Sequence, residues 1–169
     1  MTGALTIRPY RPDDRAAVTR VFYRAVREGA AAFYDDAQRA AWAPRDTPDP
    51  AKPDKLLDQW CWVAEDAGRI SGFMSLCHDG YLDMAFVLPE VMGKGHAAAL
   101  YDTLLHKARS QGFPRLTVHA SHLARPFFAR RGWQVDKAEM HPSNGQIFER
   151  FAMSLALAPG DEAGSKVSA

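Results

Sequence analysis

The feature that most constrains this chain is residues 80–109, GYLDMAFVLPEVMGKGHAAALYDTLLHKAR, where a strand pattern turns into a helix pattern across two glycines. Residues 81–88 are almost wholly apolar and are bounded by Gly80 and Pro89, which reads as a strand. Ala97, Leu100, Tyr101, Leu104 and Ala108 then recur at helical spacing. Between them Gly93, Lys94 and Gly95 sit where the helix must begin. A helix start presents unpaired backbone N–H groups and the positive end of its dipole, so it suits a phosphate. Glycines let that phosphate reach the backbone without a side chain in the way. The loop is a candidate diphosphate cradle, although a glycine pair before a helix is also ordinary punctuation. Two better-known cradles are excluded. A P-loop needs Lys followed by Ser or Thr, but Gly95 follows Lys94. The dinucleotide fingerprint needs a third glycine where Ala98 stands, and no acidic residue follows the next strand, which ends near His119.

The rest of the chain supplies a sheet around this unit. A short first strand over residues 4–9 stops at Pro9. Pro12, Asp13 and Asp14 open a helix that runs at helical spacing to about Glu28. A second helix is expected over residues 35–41. Four prolines between Ala43 and Pro53 exclude regular structure there. Residues 59–64 and 69–77 read as an antiparallel pair turned at residues 65–68. The strand at residues 115–120 follows the central helix, so it lies parallel to 81–88 through a right-handed crossover. A short helix over about 122–131 precedes a hairpin of 133–141 and 146–157 around Asn144-Gly145. The expected class is α+β: a mostly antiparallel twisted sheet of about seven strands, with one parallel splayed pair and helices on both faces. Residues 1–157 read as one domain, and 158–169, small and polar, as a flexible tail.

Composition narrows the function. The formal net charge of +1 gives no electrostatic case for nucleic acid or an anionic membrane. No apolar run is long enough to span a bilayer, and no signal peptide precedes the first strand, so a cytoplasmic protein is expected. Cys61 and Cys77 lie in strand-like runs and read as reduced thiols. The six histidines show no ligand spacing, and no metal is expected.

The loop resembles motif A of the GCN5-related N-acetyltransferases (the GNAT superfamily), Arg/Gln-x-x-Gly-x-Gly/Ala after a strand ending Val-x-Pro. Here Val87-Leu88-Pro89 precedes Met92-Gly93-Lys94-Gly95-His96-Ala97, with Met92 at the usual Arg/Gln position. Ser121 through Trp133 is similar to the family's last motif, Asn-x-x-Ala-x-x-Phe-Tyr-x-x-x-Gly-Phe, with Phe128 in place of the tyrosine. Together with Asp36…Trp42 and Tyr81-Leu82-Asp83-Met84, these motifs look closest to the bacterial YafP-like N-acetyltransferases. The element order agrees with the GNAT fold.

The resemblance implies transfer of an acetyl group from acetyl-CoA to a primary amine, by direct attack in a ternary complex. Met92, Gly93, Lys94, Gly95, His96, Ala97 and Ala98 would hold the pyrophosphate, Met92 by its backbone N–H. Phe86 and Val87 main-chain groups would hold the pantetheine arm, with Ser121, Phe127 and Phe128 nearby. The amine must be neutral to attack, so a general base is expected. Asp83 is the first candidate, a carboxylate inside an apolar strand whose alternation puts it on one face with Tyr81; it could equally be a structural partner of a buried donor such as Tyr81 or His119. His119 is the second candidate. His78 and His96 are expected on the surface. Phe128 cannot donate a proton to the departing thiolate, which leaves Tyr81, Ser121, water or no acid at all. Ser121 also reads as a helix cap. Phe33, Tyr34, Trp42 and Tyr81 would face the acceptor, a small molecule or protein amine, and the aromatics suggest a flat or apolar group. A homodimer is left open. The substitutions at Met92 and Phe128 also fit a non-catalytic acyl-CoA sensor.

Overall fold

A computed structural model describes residues 4–158, so the tail expected over 158–169 lies almost wholly outside the described residues. The chain begins with β1 (Thr6–Pro9), a 3-10 turn at Pro12–Asp14 and α1 (Arg15–Arg24), which loosens into a π turn at Ala25–Gly29. The continuous helix expected to Glu28 is thus three segments. After α2 (Asp36–Trp42) there is no helix or strand until a 3-10 turn at Lys55–Asp58. Then come β2 (Trp60–Asp66), β3 (Arg69–Leu76) and β4 (Tyr81–Val87). The central helix α3 (His96–Ser110) leads to β5 (Arg115–Ala120), α4 (Arg125–Ala129), β6 (Gln134–Ser143) and β7 (Gln146–Ala156).

Local chemistry explains the joints. Asp35 caps α2 by accepting from the Gln38 N–H, and the Gln38 side chain answers at the Asp35 N–H. Ala67-Gly68 and Asn144-Gly145 both have positive φ at both residues, the twist a two-residue hairpin requires. The first hairpin therefore turns one residue later than its sequence suggests. Asp14 is buried and receives both terminal nitrogens of Arg8 (2.9 and 3.0 Å), which ties β1 to the start of α1 and holds the Asp14 carboxyl below its usual range.

The strands form one sheet in the order β1-β2-β3-β4-β5-β7-β6, antiparallel except at β4–β5. One core lies under α3 and α4, around Leu100, Leu104, Phe128 and Trp133. A second lies under α1, around Val21, Val63 and Phe73, and a third gathers Tyr34 and Phe148 with Trp42 beside α2. Burying both sheet faces supplies the main stabilisation.

Two details of β3 and β4 place the site. A Cβ on Gly72 would meet Val87 Cγ1 at 2.7 Å, the Phe86 carbonyl at 3.1 Å and Leu100 Cδ1 at 3.2 Å. The bare backbone there lets α3 sit close on the sheet. Gly72→Ala should destabilise the protein by about 1–3 kcal/mol through overpacking. An unchanged urea midpoint would show that the helix can shift at no cost.

The second detail corrects the expected alternation of β4. Ser75 pairs with Met84 but Leu76 pairs with Leu82, so Asp83 is the extra residue of a β-bulge. Leu82 shares the α3-side core with Ala85 and Val87, whereas Met84 and Phe86 pack on the α1 side. An uninterrupted period of two would have put Leu82 with Met84. Beyond the bulge β4 also parts from β5: the parallel pairing covers Tyr81↔Thr117 and Leu82↔Val118 and then stops.

Candidate active site

Where β4 and β5 diverge, a cavity of about 290 Å³ opens between them. Phe86, Val87, Val118 and Ala120 line it from the strands, Met92, Gly93 and Ala97 from the loop and α3, and Phe127 and Phe128 from α4. The edge of residues 84–87 that faces β5 has no strand partner, so its main-chain groups are open to an extended ligand.

The loop at the mouth is shaped for an anion. Gly93 and Gly95 have φ of +77° and +89°, and a Cβ at either would meet nothing within 4 Å. That leaves open space against bare backbone. The first helical hydrogen bond of α3 runs from the Ala99 N–H to the Gly95 carbonyl (3.0 Å), and no side chain caps the end. The N–H groups of His96, Ala97 and Ala98 therefore point ahead of the helix without an intrahelical partner. Met92 differs from its expected role, because its own N–H is turned onto the Pro89 carbonyl (3.3 Å). Its side chain instead covers Gly29, whose added Cβ would lie 2.6 Å from Met92 Cε. Lys94 is exposed, with its N–H on Val91.

His96 overturns the expectation of a surface position. It is buried, with Nδ1 2.7 Å from Ser71 Oγ and Nε2 4.0 Å from Asp66 Oδ2, and so pins the start of α3 to β3 and β2. The only sequence signal was a histidine at the first helical position. His78 is exposed, against the Trp60 ring.

A second, more polar cavity of about 220 Å³ adjoins the first. Tyr34, Trp42 and Phe148 form its aromatic wall, and His141, Ser143, Glu149 and Arg150 reach it from the terminal hairpin. Trp42, His119 and Ser121 line both cavities and mark their junction. Tyr34 is buried, donating from Oη to the Glu149 carbonyl and accepting from the His122 N–H, both at 3.0 Å. Trp42 packs edge-on to Tyr34, Phe86 and Phe148. Phe33 lines neither cavity; it is exposed and stacked on His122.

The titratable groups are placed differently around the junction: His119 lines both cavities, Asp83 lines the first, and Tyr81 lines neither. Asp83 touches neither Tyr81 nor His119 as a partner: its Oδ2 is 2.9 Å from Lys55 Nζ and accepts from Gln59 Nε2 at 2.9 Å. Those two donors sit on the segment before β2, where no motif announced them. Tyr81 and His119 pair instead with each other, Oη to Nδ1 at 2.9 Å. Burial, and then the neighbouring Asp83 charge, push the Tyr81 phenol up, so it stays protonated. Burial and then Arg150 hold His119 below the ordinary imidazole value, so it stays neutral. On its other side His119 Nε2 lies 3.5 Å from Glu139 Oε1, which accepts from Arg150 Nε at 2.7 Å. Glu139 and Arg150 face each other across β6 and β7, and sequence reasoning missed both. Ser121 Oγ accepts from the Ala124 N–H (3.1 Å), as a cap does, which leaves its own proton to donate. Phe128 is buried beside Trp133 and Phe127.

No group of three or more metal-ligating side chains is placed to hold an ion among the described residues, and no helix there is long and apolar enough to cross a membrane.

Residues 25–155 match the profile of the acetyltransferase (GNAT) domain. The chain is 37% identical over 149 residues to the uncharacterized N-acetyltransferase YafP of Escherichia coli, covering 88% of this chain and 94% of that protein. A solved GCN5-related N-acetyltransferase from Rhodopseudomonas palustris superposes with a TM-score of 0.83 at 29% identity, over 93% of this chain and 98% of that one. The PaiA N-acetyltransferase of Thermoplasma acidophilum, solved with coenzyme A, shares the fold at a TM-score of 0.71 and 16% identity, over 91% and 99%. With a strand–loop–helix cradle, a splayed parallel pair and these relatives, the chain belongs to the GNAT acetyltransferase family and is an acyltransferase.

Proposed function

We propose that this protein moves an acetyl group from acetyl-CoA to an amine by direct attack, with the two reactants meeting where Trp42, His119 and Ser121 line both cavities. That shared lining is the observation that carries the reading. A binding module needs a pocket for coenzyme A, but it has no use for a second polar cavity opening on the same point. The residues present fit the coenzyme. The pyrophosphate would take the N–H groups at the start of α3, against the open backbone of Gly93 and Gly95. The pantetheine would lie along the unpaired edge of residues 84–87, with Phe127 and Phe128 beside it. Acetyl-CoA supplies the thioester.

Of the two carboxylate and imidazole candidates, the arrangement favours His119 as base. Asp83 is already engaged, its Oδ2 taken by both the Lys55 ammonium and the Gln59 amide. His119 is neutral and bonded to a phenol at the junction. Glu139 faces Nε2 and so favours the tautomer with the proton there, leaving Nδ1 to accept from Tyr81. As the amine nitrogen bonds to the acetyl carbon and the C–S bond breaks, its proton passes to the Tyr81–His119 pair, of which His119 lines both cavities. The pair then returns that proton to the thiolate, directly or through the Ser121 hydroxyl, and is left as it began. This gives the pair the acid role that Phe128 cannot fill.

The direct test is release of free thiol, with acetylated product identified by mass spectrometry, from acetyl-CoA and a panel of small amines, amino acids and peptides. Turnover above the spontaneous rate for at least one class is expected. Tight coenzyme binding with no transfer to any of them would favour a sensor instead.

A further inference from the structure

The acceptor cavity contains one cation whose hydrogen-bonding capacity is only partly used. Arg150 spends Nε on Glu139, and among the described residues no side chain takes its two terminal nitrogens. The guanidinium lines the cavity and is about three-quarters buried, with 27% of its side chain exposed. Its charge is felt at the junction, where after burial it helps to hold His119 below the ordinary imidazole value. The acidic residues nearby are already engaged: Glu139 by Arg150 itself, and Glu149 by His122 Nε2 at 2.7 Å. An ammonium entering here meets carboxylates that each already have a partner, whereas a carboxylate entering here meets a half-satisfied, oriented fork.

We infer that Arg150 anchors the carboxylate of the acceptor, which is an α-amino acid with an apolar or aromatic side chain. The inference rests on the proposed acetyl transfer and names the substrate class of that site. Glu139 holds the guanidinium by Nε, so the free edge with both terminal nitrogens is presented as a rigid pair of donors. In an α-amino acid the amine is on the carbon next to the carboxylate. A carboxylate on Arg150 therefore brings the amine toward His119, which lines the same cavity and whose Nε2 lies 3.5 Å from the Glu139 oxygen that holds Arg150. The side chain is left to the wall of Tyr34, Trp42 and Phe148, which offers ring faces and edges and little hydrogen bonding. A polyamine or a lysine side chain is repelled by Arg150 and leaves the guanidinium's terminal nitrogens unpaired.

Matched acceptors test it: phenylalanine, its amide and phenethylamine, compared on the concentration of neutral amine, with the wild type, Arg150→Gln and the double variant Glu139→Gln/Arg150→Gln. The double variant keeps a neutral hydrogen-bonded pair and leaves no stranded carboxylate; because Glu139 also faces His119, it is read by KM and by binding rather than by kcat if Arg150→Gln folds poorly. Phenylalanine should be preferred by the wild type. Both variants should raise its KM about 10- to 100-fold, as expected for loss of a charged hydrogen-bond pair, with no such rise for phenethylamine. Calorimetric binding of phenylalanine to the protein saturated with coenzyme A gives a readout that needs no turnover. Carboxylate-dependent binding without transfer would sink the proposed reaction and keep the anchor. Equal use of the three acceptors, equal losses for all three in the variants, or no binding of phenylalanine would overturn the anchor itself.

Discussion

Gly95→Asp should abolish tight coenzyme binding while leaving a folded protein. Gly95 is the residue before the first turn of α3, at φ +89°, with nothing within 4 Å of an added Cβ. Steric clash is therefore not the mechanism. The left-handed backbone costs a non-glycine residue about 1–2 kcal/mol, and Asp tolerates it better than most. The substituted carboxylate occupies the space into which the N–H groups of His96, Ala97 and Ala98 open. Two unit charges about 4 Å apart repel by roughly 4 kcal/mol at an effective dielectric of 20. Solvent will screen part of that, so a loss of about 100-fold in acetyl-CoA affinity is expected by calorimetry, with a native circular dichroism spectrum. Gly95→Ala separates the terms: it carries the backbone strain without the charge and should lose far less. Similar losses for both would mean that backbone conformation, not phosphate repulsion, governs the cradle. Unchanged affinity in folded Gly95→Asp would place the pyrophosphate elsewhere.

The parts of this molecule legible from sequence are those set by local rules. Asn144-Gly145 announces its hairpin, Asp35 and Gln38 announce a capped helix, and the switch of period at residues 88–96 announces the strand–loop–helix unit. The family motifs added the proposal that this loop holds the coenzyme. What escaped depends on partners distant in the chain. The bulge at Asp83 exists because β4 carries one more residue than β3 uses, which no period within β4 reveals. Asp83 looked like an unpaired carboxylate because two strands, β2 and β3, and their turns separate Lys55 and Gln59 from it in the chain. His96 looked exposed because its acceptor-rich site comes from Ser71 and Asp66 on two other strands. Glu139 and Arg150 looked like any alternating surface pair. Only the pairing of β7 with β5 brings that hairpin against His119.

His119→Gln should lower kcat by about 10²–10⁴-fold, the usual range for loss of a general base, with acetyl-CoA affinity little changed. Its pH dependence identifies the group. A base works only when unprotonated, so activity falls as pH drops through the pKa of His119. Burial and the Arg150 charge put that pKa below 6.5, and the acid limb of kcat/KM belongs on that side. The acceptor amine loses its own proton at higher pH, so its limb lies well to the basic side and the two do not overlap. In His119→Gln the acid limb should vanish while the amine limb stays. Tyr81→Phe keeps the imidazole but removes the phenol bonded to its Nδ1, and should also reduce kcat without moving coenzyme binding. Asp83→Asn is the contrast. It keeps an acceptor for Gln59 and loses the ion pair with Lys55, a lysine whose side chain is 58% exposed. Such a pair contributes about 0–1 kcal/mol. The expected result is a slightly lower melting temperature, with turnover per folded molecule changed much less than in His119→Gln. The reverse order of effects, with the acid limb lost in Asp83→Asn and retained in His119→Gln, would return the base to the bulge of β4.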